Sequence, residues 1–477
     1  MKVLFITNVF EKYINREPLG LMYLSGILRQ KGHKVSLCGT DLDEINKEFE
    51  IFRPDIVGYS VTTGFHKFFI ELNQELKKRY KFISLFGGPH ATFFPEIIYS
   101  PGIDIVCRGE GEHIVIDLVS RLDKGQPIEN IPNLWLRFDD KVYQNPPRRL
   151  EDNLDVFPHP DRELFYNKFT RAKNAKIKSV ITIRGCPFFC SYCFNKSYNQ
   201  FYKDLGKIVR IRPVDDVILE INEIKNKYPL DLVYFVTDDF VLDRDWVFEF
   251  ETKYKMNIGL PFHCLVSADL IDGQIAESLK SAGCVSVMMG LECGNDRVRR
   301  DILKRNISRE KIIEAVRLLR KSKIKVCSQN MLGIPGGSLS VDFETYCLNL
   351  ESGVDYSVVS IMQPYPRTEI YDIAKNLNLF KGDLDSIDDS YYDKSPLDIA
   401  DKEKIERLQK LFAFGIGFKL SEKTIKFLTE LPFNKLYIFL YRAWKGYCGK
   451  TRIFPHKVTF KGLIVDTVSY IFGSGVR

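Results

Sequence analysis

The chain lacks any apolar run of about 18 residues, so no membrane-spanning helix is expected. It lacks the pattern of a secretion leader as well. Met1-Lys-Val-Leu-Phe-Ile-Thr-Asn8 is a short apolar run that leads into charge. Eleven cysteines without a leader point to a reducing cytoplasm, with thiols free or on metal. A strong charge of either sign is also missing. The net charge is +7 over 477 residues. What remains is an ordinary globular composition, 45% hydrophobic and 27% charged. Its length suits about two to four domains.

One further absence decides the chemistry. Cys186-Pro-Phe-Phe-Cys190-Ser-Tyr-Cys193 carries three cysteines at C-x3-C-x2-C spacing, and no fourth Cys or His follows nearby. Three thiolates suit soft iron or zinc. Structural zinc and ordinary ferredoxin clusters want four ligands. A [4Fe–4S] cluster on three cysteines leaves one iron open to a substrate or cosubstrate. The β-branched run Ile181-Thr-Ile-Arg184 reads as a strand that Gly185 and Pro187 end, which puts the cysteines on a loop. The spacing, with Tyr192 before the last cysteine, resembles the radical S-adenosylmethionine (SAM) enzymes.

Before that motif, short buried strands alternate with helices. Lys2–Thr7, His33–Cys38, Asp55–Ser60, Phe82–Phe86 and Asp104–Cys107 read as strands. Leu19–Lys31, Phe65–Arg79 and a segment from Glu112 read as helices. The pattern predicts a doubly wound parallel sheet over residues 1–145, with ligands beyond the carboxyl ends of its strands. Asn8, Ser60, Thr62, Gly87, Gly88, His90, Gly109, Glu110 and Gly111 fall there. Glycines at such ends let backbone approach a ligand.

This domain resembles the cobalamin-binding domain in front of many radical SAM enzymes. Phe86-Gly-Gly-Pro-His-Ala-Thr92, Arg108-Gly-Glu-Gly-Glu112 and Pro18-Leu-Gly-Leu-Met-Tyr-Leu24 carry the resemblance. It implies that those nine residues hold cobalamin. Methionine-synthase-type domains carry Asp-x-His-x-x-Gly after the first strand. Here that stretch is Asn8-Val-Phe10-Glu-Lys-Tyr13, without the axial His.

Residues 146–177 read as a proline-punctuated linker. From 178 to 395 the alternation restarts, in about six βα units. That predicts a partial barrel with its chemistry at the C-terminal strand ends. The resemblance assigns SAM to Tyr192, Asp238, Asp239, Glu292, Gly333, Ile334 and Gly336. Asp238 and Asp239 can accept from its ammonium, Glu292 from a ribose hydroxyl, and Gly333-Ile-Pro-Gly-Gly337 can lie against adenine. Two positions depart from the family. Ser267 in Leu265-Val-Ser267-Ala-Asp269 stands where relatives often carry Arg, leaving SAM's carboxylate to Arg184, Arg367 or backbone. Arg367 in Pro364-Tyr-Pro-Arg-Thr-Glu369 stands where they carry glycine.

The last region, 396–477, is predicted mainly helical. Beyond Leu420 it holds ten Lys/Arg against three acids, an excess equal to the whole net charge. Aromatics interleave with these cations. Three readings follow: a helical cap on the barrel, a peripheral membrane contact, or nucleic-acid contact. Nucleic acid is the least favoured partner.

The resemblance implies reductive cleavage of SAM to a 5′-deoxyadenosyl radical and methylation of an unactivated carbon in a small-molecule or lipid substrate. A flavodoxin- or ferredoxin-type donor would supply electrons. The alternatives are a non-methylating cyclase, rearrangement or anaerobic oxidation enzyme with the same cofactors, a non-catalytic iron–sulfur or cobalamin sensor, and a structural zinc protein.

Overall fold

The computed structural model describes residues 1–8, 17–138, 141–387, 390–456 and 467–468. They fall into two compact units. The first is 1–175 with 197–210 and 227–229; the second is the remainder.

The first unit is built on seven strands: β1 (Lys2–Ile6), β2 (Lys34–Cys38), β3 (Ile56–Ser60), β4 (Ile83–Gly87), β5 (Ile105–Cys107), β6 (Leu134–Phe138) and β7 (Lys141–Gln144). Their order is β2-β1-β3-β4-β5-β6-β7. The first five are parallel, while β6 and β7 run antiparallel at the edge. The β1/β3 boundary is where the strand order reverses, the position at which doubly wound sheets bind ligands. Leu4, Ile6, Val57, Tyr59, Phe86 and Val106 are buried in its core, as a sheet covered on both faces requires.

Three elements differ from expectation. Leu42–Phe52 is a helix, begun by Asp41, whose carboxylate accepts from Glu44 N at 2.9 Å. The β6–β7 hairpin was not foreseen, being only five and four residues long. The expected linker is not free chain, because residues 146–175 pack within this unit and contain the helix Arg162–Lys168. Asp161 caps that helix and accepts from Ser25 Oγ at 2.6 Å.

The second unit carries six parallel strands in chain order: β8 (Ile177–Val180), β9 (Leu232–Phe235), β10 (Phe262–Val266), β11 (Cys284–Glu292), β12 (Lys325–Leu332) and β13 (Tyr356–Ile361). This is the expected partial barrel. The strand before the cysteines is displaced, however. β8 ends at Val180, and the 181–184 run lies outside the main sheet. Its carbonyls go elsewhere: Ile181 O accepts from Arg212 Nη1 at 2.8 Å, and Ile183 O from Thr237 Oγ1 at 3.2 Å.

The C-terminal helices Lys402–Gly417, Glu422–Glu430 and Asn434–Cys448 belong to this unit. Gln409 Nε2 donates to Val359 O on β13 at 2.9 Å. The turn after the last helix is tied to three strand regions. Ser286 Oγ donates to Ile453 O (2.6 Å), Lys325 Nζ to Thr451 O (2.5 Å) and Arg452 Nη1 to Asp355 O (2.7 Å). Cys327, Tyr356, Ala413, Cys448 and Ile453 form a shared apolar cluster. One face of the region is therefore a cap. Lys457, Lys461 and Arg477 lie outside the described residues.

Candidate functional site

In the second unit the expected SAM and cluster residues all follow C-terminal strand ends. The cysteine loop comes after β8, Asp238 and Asp239 after β9, Glu292 closes β11, and Gly333 follows β12. In a barrel these ends converge, which is why its chemistry collects there.

The cysteine loop is pinned through Ser191. Its backbone N donates to Leu303 O at 3.1 Å, its hydroxyl to Ile302 O at 2.6 Å, and its carbonyl accepts from Ile370 N at 3.0 Å. Cys193 N closes a turn on Cys190 O at 3.2 Å, and Asn195 N points at Cys193 Sγ at 3.4 Å. None of the three is in a disulfide, and all three are half-buried. Burial pushes Cys186 up to about 12 and Cys193 to about 11, and moves Cys190 upward. Neighbouring cysteine charges add to the rise at Cys186 and Cys193. Among the described residues no three Cys, His, Asp or Glu side chains stand together at metal-holding separation. The donor chemistry nevertheless suits an iron–sulfur cluster, with three soft ligands on one loop.

Beside this loop stands a cation that sequence reasoning missed. Arg305 Nη1 donates to the Tyr192 hydroxyl at 3.3 Å and lies 3.5 Å from Glu292 Oε1, while Nη2 donates to Gly290 O at 3.3 Å. Burial pulls the guanidinium down, but the Tyr192 and Glu292 charges outweigh it and raise it. Burial raises Glu292, and Arg305 opposes that rise. Glu292 also has φ of 65°, at an irregularity in the β11–β12 register. A non-glycine residue in this left-handed region is costly and turns the carboxylate out of the strand's alternation. No local pattern marked Arg305 in a segment rich in Lys and Arg.

Asp239 is buried. Its Oδ1 accepts from Val241 N at 3.2 Å, while Oδ2 has no partner. Burial pushes the carboxyl up to about 6 against the pull of the Ser267 hydroxyl. Asp238 is raised by burial and opposed by Asn195, whose Nδ2 donates to Oδ1 at 3.2 Å. An orphaned, buried carboxylate oxygen suits an incoming ammonium.

Gly333 opens the Gly333–Gly337 turn with φ of 68°. Its N–H donates to both oxygens of Asp342, at 3.2 and 3.1 Å. One helical turn on, Thr345 Oγ1 accepts from Gly294 N at 2.9 Å. The helix Leu339–Ser352 thus holds the loops after β11 and β12 with one buried face. Arg367 is exposed, with φ of 69°. This left-handed backbone is the conformation that glycine adopts most readily, in line with the glycine that the resemblance leads one to expect there.

In the first unit, Ser60, Gly87, Gly88, Gly109, Glu110 and Gly111 are partly accessible and Thr62 is exposed, at the strand ends where they were expected. Asn8 is half-buried, and the rest of the Asn8–Tyr13 stretch lies outside the described residues. His90 is fully buried, stacked on His66 with centroids 4.1 Å apart and 3.1 Å from Thr63 Oγ1. Two glycines serve the chain's own packing. A Cβ at Gly88 would sit 2.9 Å from Val61 N and O, and one at Gly109 would strike the Tyr202 hydroxyl. The Glu110 carboxylate takes a bidentate bond from Arg210, at 2.8 and 2.6 Å, and one from Tyr198 OH at 3.1 Å. At Gly87 a Cβ would meet nothing nearer than 4.0 Å, so the backbone at that strand end is open to close approach by a ligand.

Comparison with known proteins identifies both domains. The Radical SAM superfamily matches residues 180–341, and the B12 binding domain matches residues 14–119. An uncharacterized methyltransferase of Pyrococcus horikoshii is 30% identical over 400 residues, covering 80% of this chain and 84% of its own. The anaerobic magnesium-protoporphyrin IX monomethyl ester cyclase of Rubrivivax gelatinosus is 25% identical over 393 residues, covering 78% of this chain and 69% of its own. Among solved structures, the cobalamin-dependent SAM radical enzyme OxsB, with aqua-cobalamin and SAM bound, aligns over 98% of this chain and 74% of its own. That alignment has a TM-score of 0.70 at 16% identity, which speaks for the fold.

Proposed function

Because the chain belongs to the radical SAM enzymes that carry a B12-binding domain, we propose that it methylates an unactivated carbon of a small-molecule or lipid substrate. Its cofactors are a [4Fe–4S] cluster, SAM and cobalamin. When bound, they supply one-electron cleavage of SAM, hydrogen abstraction and a transferable methyl group.

In this reading Cys186, Cys190 and Cys193 ligate the cluster. Asp239, with its orphaned oxygen, receives SAM's ammonium together with Asp238. Glu292 takes a ribose hydroxyl, and Gly333, Ile334 and Gly336 lie along the adenine. Tyr192 lines the same site. Arg305 supplies the carboxylate partner for which Ser267 is too short and uncharged. A guanidinium suits that task, since its planar fork matches a carboxylate. Asn8, Ser60, Thr62, Gly87, Gly88, His90, Gly109, Glu110 and Gly111 form the cobalamin side of the proposal. Within it, Glu110 acts through Arg210 and Tyr198, and His90 through its stack on His66.

The observation that carries the reading is the three-cysteine loop with the Arg305–Tyr192–Glu292 cluster against it. The test is anaerobic reconstitution with iron, sulfide and hydroxocobalamin, then reduction with SAM and assay for 5′-deoxyadenosine. Nucleoside that vanishes in Cys186→Ala, with cobalamin retained through gel filtration, is the expected result. Sound cluster and no deoxyadenosine would sink the catalytic reading and favour a sensor.

Similarity to the Rubrivivax cyclase favours a second outcome, ring formation or oxidation without methyl transfer. A product heavier by one methyl group separates the two. We further assign a flavodoxin- or ferredoxin-type electron donor and a cytoplasmic location. The C-terminal helices make peripheral contact with a membrane in the same proposal, since their outer face carries exposed Phe427, Leu436 and Phe439.

A further inference from the structure

The helix Asn434–Cys448 divides its large side chains between two faces. Tyr437 and Tyr441 are buried, and Tyr437 OH donates to Leu428 O at 2.7 Å. Trp444 packs on Phe418, with ring centroids 5.0 Å apart. Toward the outer side, Leu436, Phe439 and Tyr447 are 51%, 47% and 41% exposed, with Tyr447 stacked on Trp444 at the border of the packed face, centroids 5.6 Å apart. Their spacing of three and eight residues places them along one stripe of the helix. Phe433, just before the helix, is 52% exposed, and Phe427 on the preceding helix is 62% exposed. Single exposed apolar residues need no explanation, but a stripe of them marks a surface that something covers.

The charge near this stripe is mainly positive. Residues 431–456 contain five Lys/Arg and no acid. Lys423 and Lys435 are exposed. The two acids of the preceding helix are already engaged, Glu422 with Lys426 at 2.6 Å and Glu430 with Lys404 at 2.8 Å. The face is therefore apolar, with the exposed Lys435 one helical turn from Phe439 and the exposed Lys423 one turn from Phe427 on the preceding helix, and the buried face of the same helix holds it in place. Two copies meeting through it would bring like charges together. A surface of anionic phosphates over hydrocarbon matches both properties.

We propose that this face docks on an anionic phospholipid bilayer. Phe433, Leu436, Phe439 and Tyr447 enter the headgroup–acyl boundary, and Lys423 and Lys435 meet lipid phosphates. The proposal rests on the peripheral-membrane reading above and adds the lipid chemistry and the residues that recognise it. Docking also gives a soluble fold access to a lipid substrate.

The test is vesicle sedimentation of the full chain. Vesicles are of phosphatidylcholine alone, or of phosphatidylcholine and phosphatidylglycerol in equal parts. The expected result is retention on the mixed vesicles, weakened at least about tenfold without the anionic lipid. Leu436→Ser with Phe439→Ser should weaken it about tenfold or more. Lys423→Gln and Lys435→Gln should each weaken it roughly fivefold, with the effect fading in high salt. All four side chains are exposed, so SAM cleavage without vesicles should stay at the unsubstituted level and report an intact fold. Equal binding to both vesicles would overturn recognition of anionic lipid while leaving membrane contact standing. Binding to neither would overturn both. Self-association that disappears in the Leu436→Ser, Phe439→Ser protein, without vesicle binding, would overturn the proposal in favour of a second copy of the chain.

Discussion

Arg305 Nη1 stands 3.3 Å from the Tyr192 hydroxyl, across 113 residues of sequence. The tyrosine immediately before the last cysteine of the loop is thereby held by a half-buried cation from the segment after β11. That cation also faces Glu292.

Replacing Arg305 by Met removes a charge-assisted donor worth about 1.5–3 kcal/mol when it meets a carboxylate. The KM for SAM in deoxyadenosine formation should rise by roughly ten- to a hundredfold, with iron content unchanged. Arg305→Lys should recover part of the loss, since one ammonium cannot replace the fork. An unchanged KM for SAM would assign Arg305 to fixing Tyr192 and Glu292 alone.

Asp342 offers a pH test. It is buried, its two oxygens share the Gly333 N–H, and burial pushes it up to about 8. An unfolded Asp titrates near about 3.9. Between these values the folded chain binds the extra proton, so this group's contribution is whole below about pH 4 and is lost as pH rises toward 8. Asp342→Asn removes the dependence. The stability of the unsubstituted protein should fall relative to the variant by about 1 kcal/mol per pH unit across that window. Parallel melting curves at pH 5 to 8 would show that Asp342 titrates normally.

Glu110 is expected to act as scaffold. Its carboxylate is fully engaged by the buried Arg210 and by Tyr198. Glu110→Gln leaves that guanidinium without its counter-charge, at a cost of about 3 kcal/mol or more. Arg210→Met should cost a similar amount, and the double variant less than the sum. Cobalamin retention should fall in step with stability in all three. Retention lost in a Glu110→Gln protein of unchanged stability would assign Glu110 a direct contact.

Truncation after Leu420 should destabilise the second unit. It removes the Ile453, Thr451 and Arg452 hydrogen bonds to the strand regions and part of the shared apolar cluster. At about 1 kcal/mol for each hydrogen bond, the loss is about 3 kcal/mol before apolar burial is counted. A truncated chain with an unchanged melting temperature would show that the last helix is an appendage.

The parts legible in the sequence are those governed by local pattern. Buried β-branched runs alternating with amphipathic helices placed both parallel sheets. The loop position of Cys186, Cys190 and Cys193 was legible because Gly185 and Pro187 end the extended run before them. The helix Leu42–Phe52 and the β6–β7 hairpin were missed, one for its polar face and the other for its shortness. The strand at 181–184 was misplaced because β-branched composition does not say where backbone carbonyls go. Arg212 and Thr237 take them, and both come from later in the chain.

The sequence by itself therefore determined the fold class and the type of chemistry, because hydrophobic period and ligand spacing are properties of neighbouring residues. Tertiary structure alone decided that Arg305 is the cation at the cysteine loop and that Glu110 belongs to Arg210. It also decided that one face of the Asn434–Cys448 helix is buried while Leu436 and Phe439 are exposed. Each of these depends on which distant groups are brought out of water together, and burial sets both the strength of a charge pair and the cost of an unpaired group.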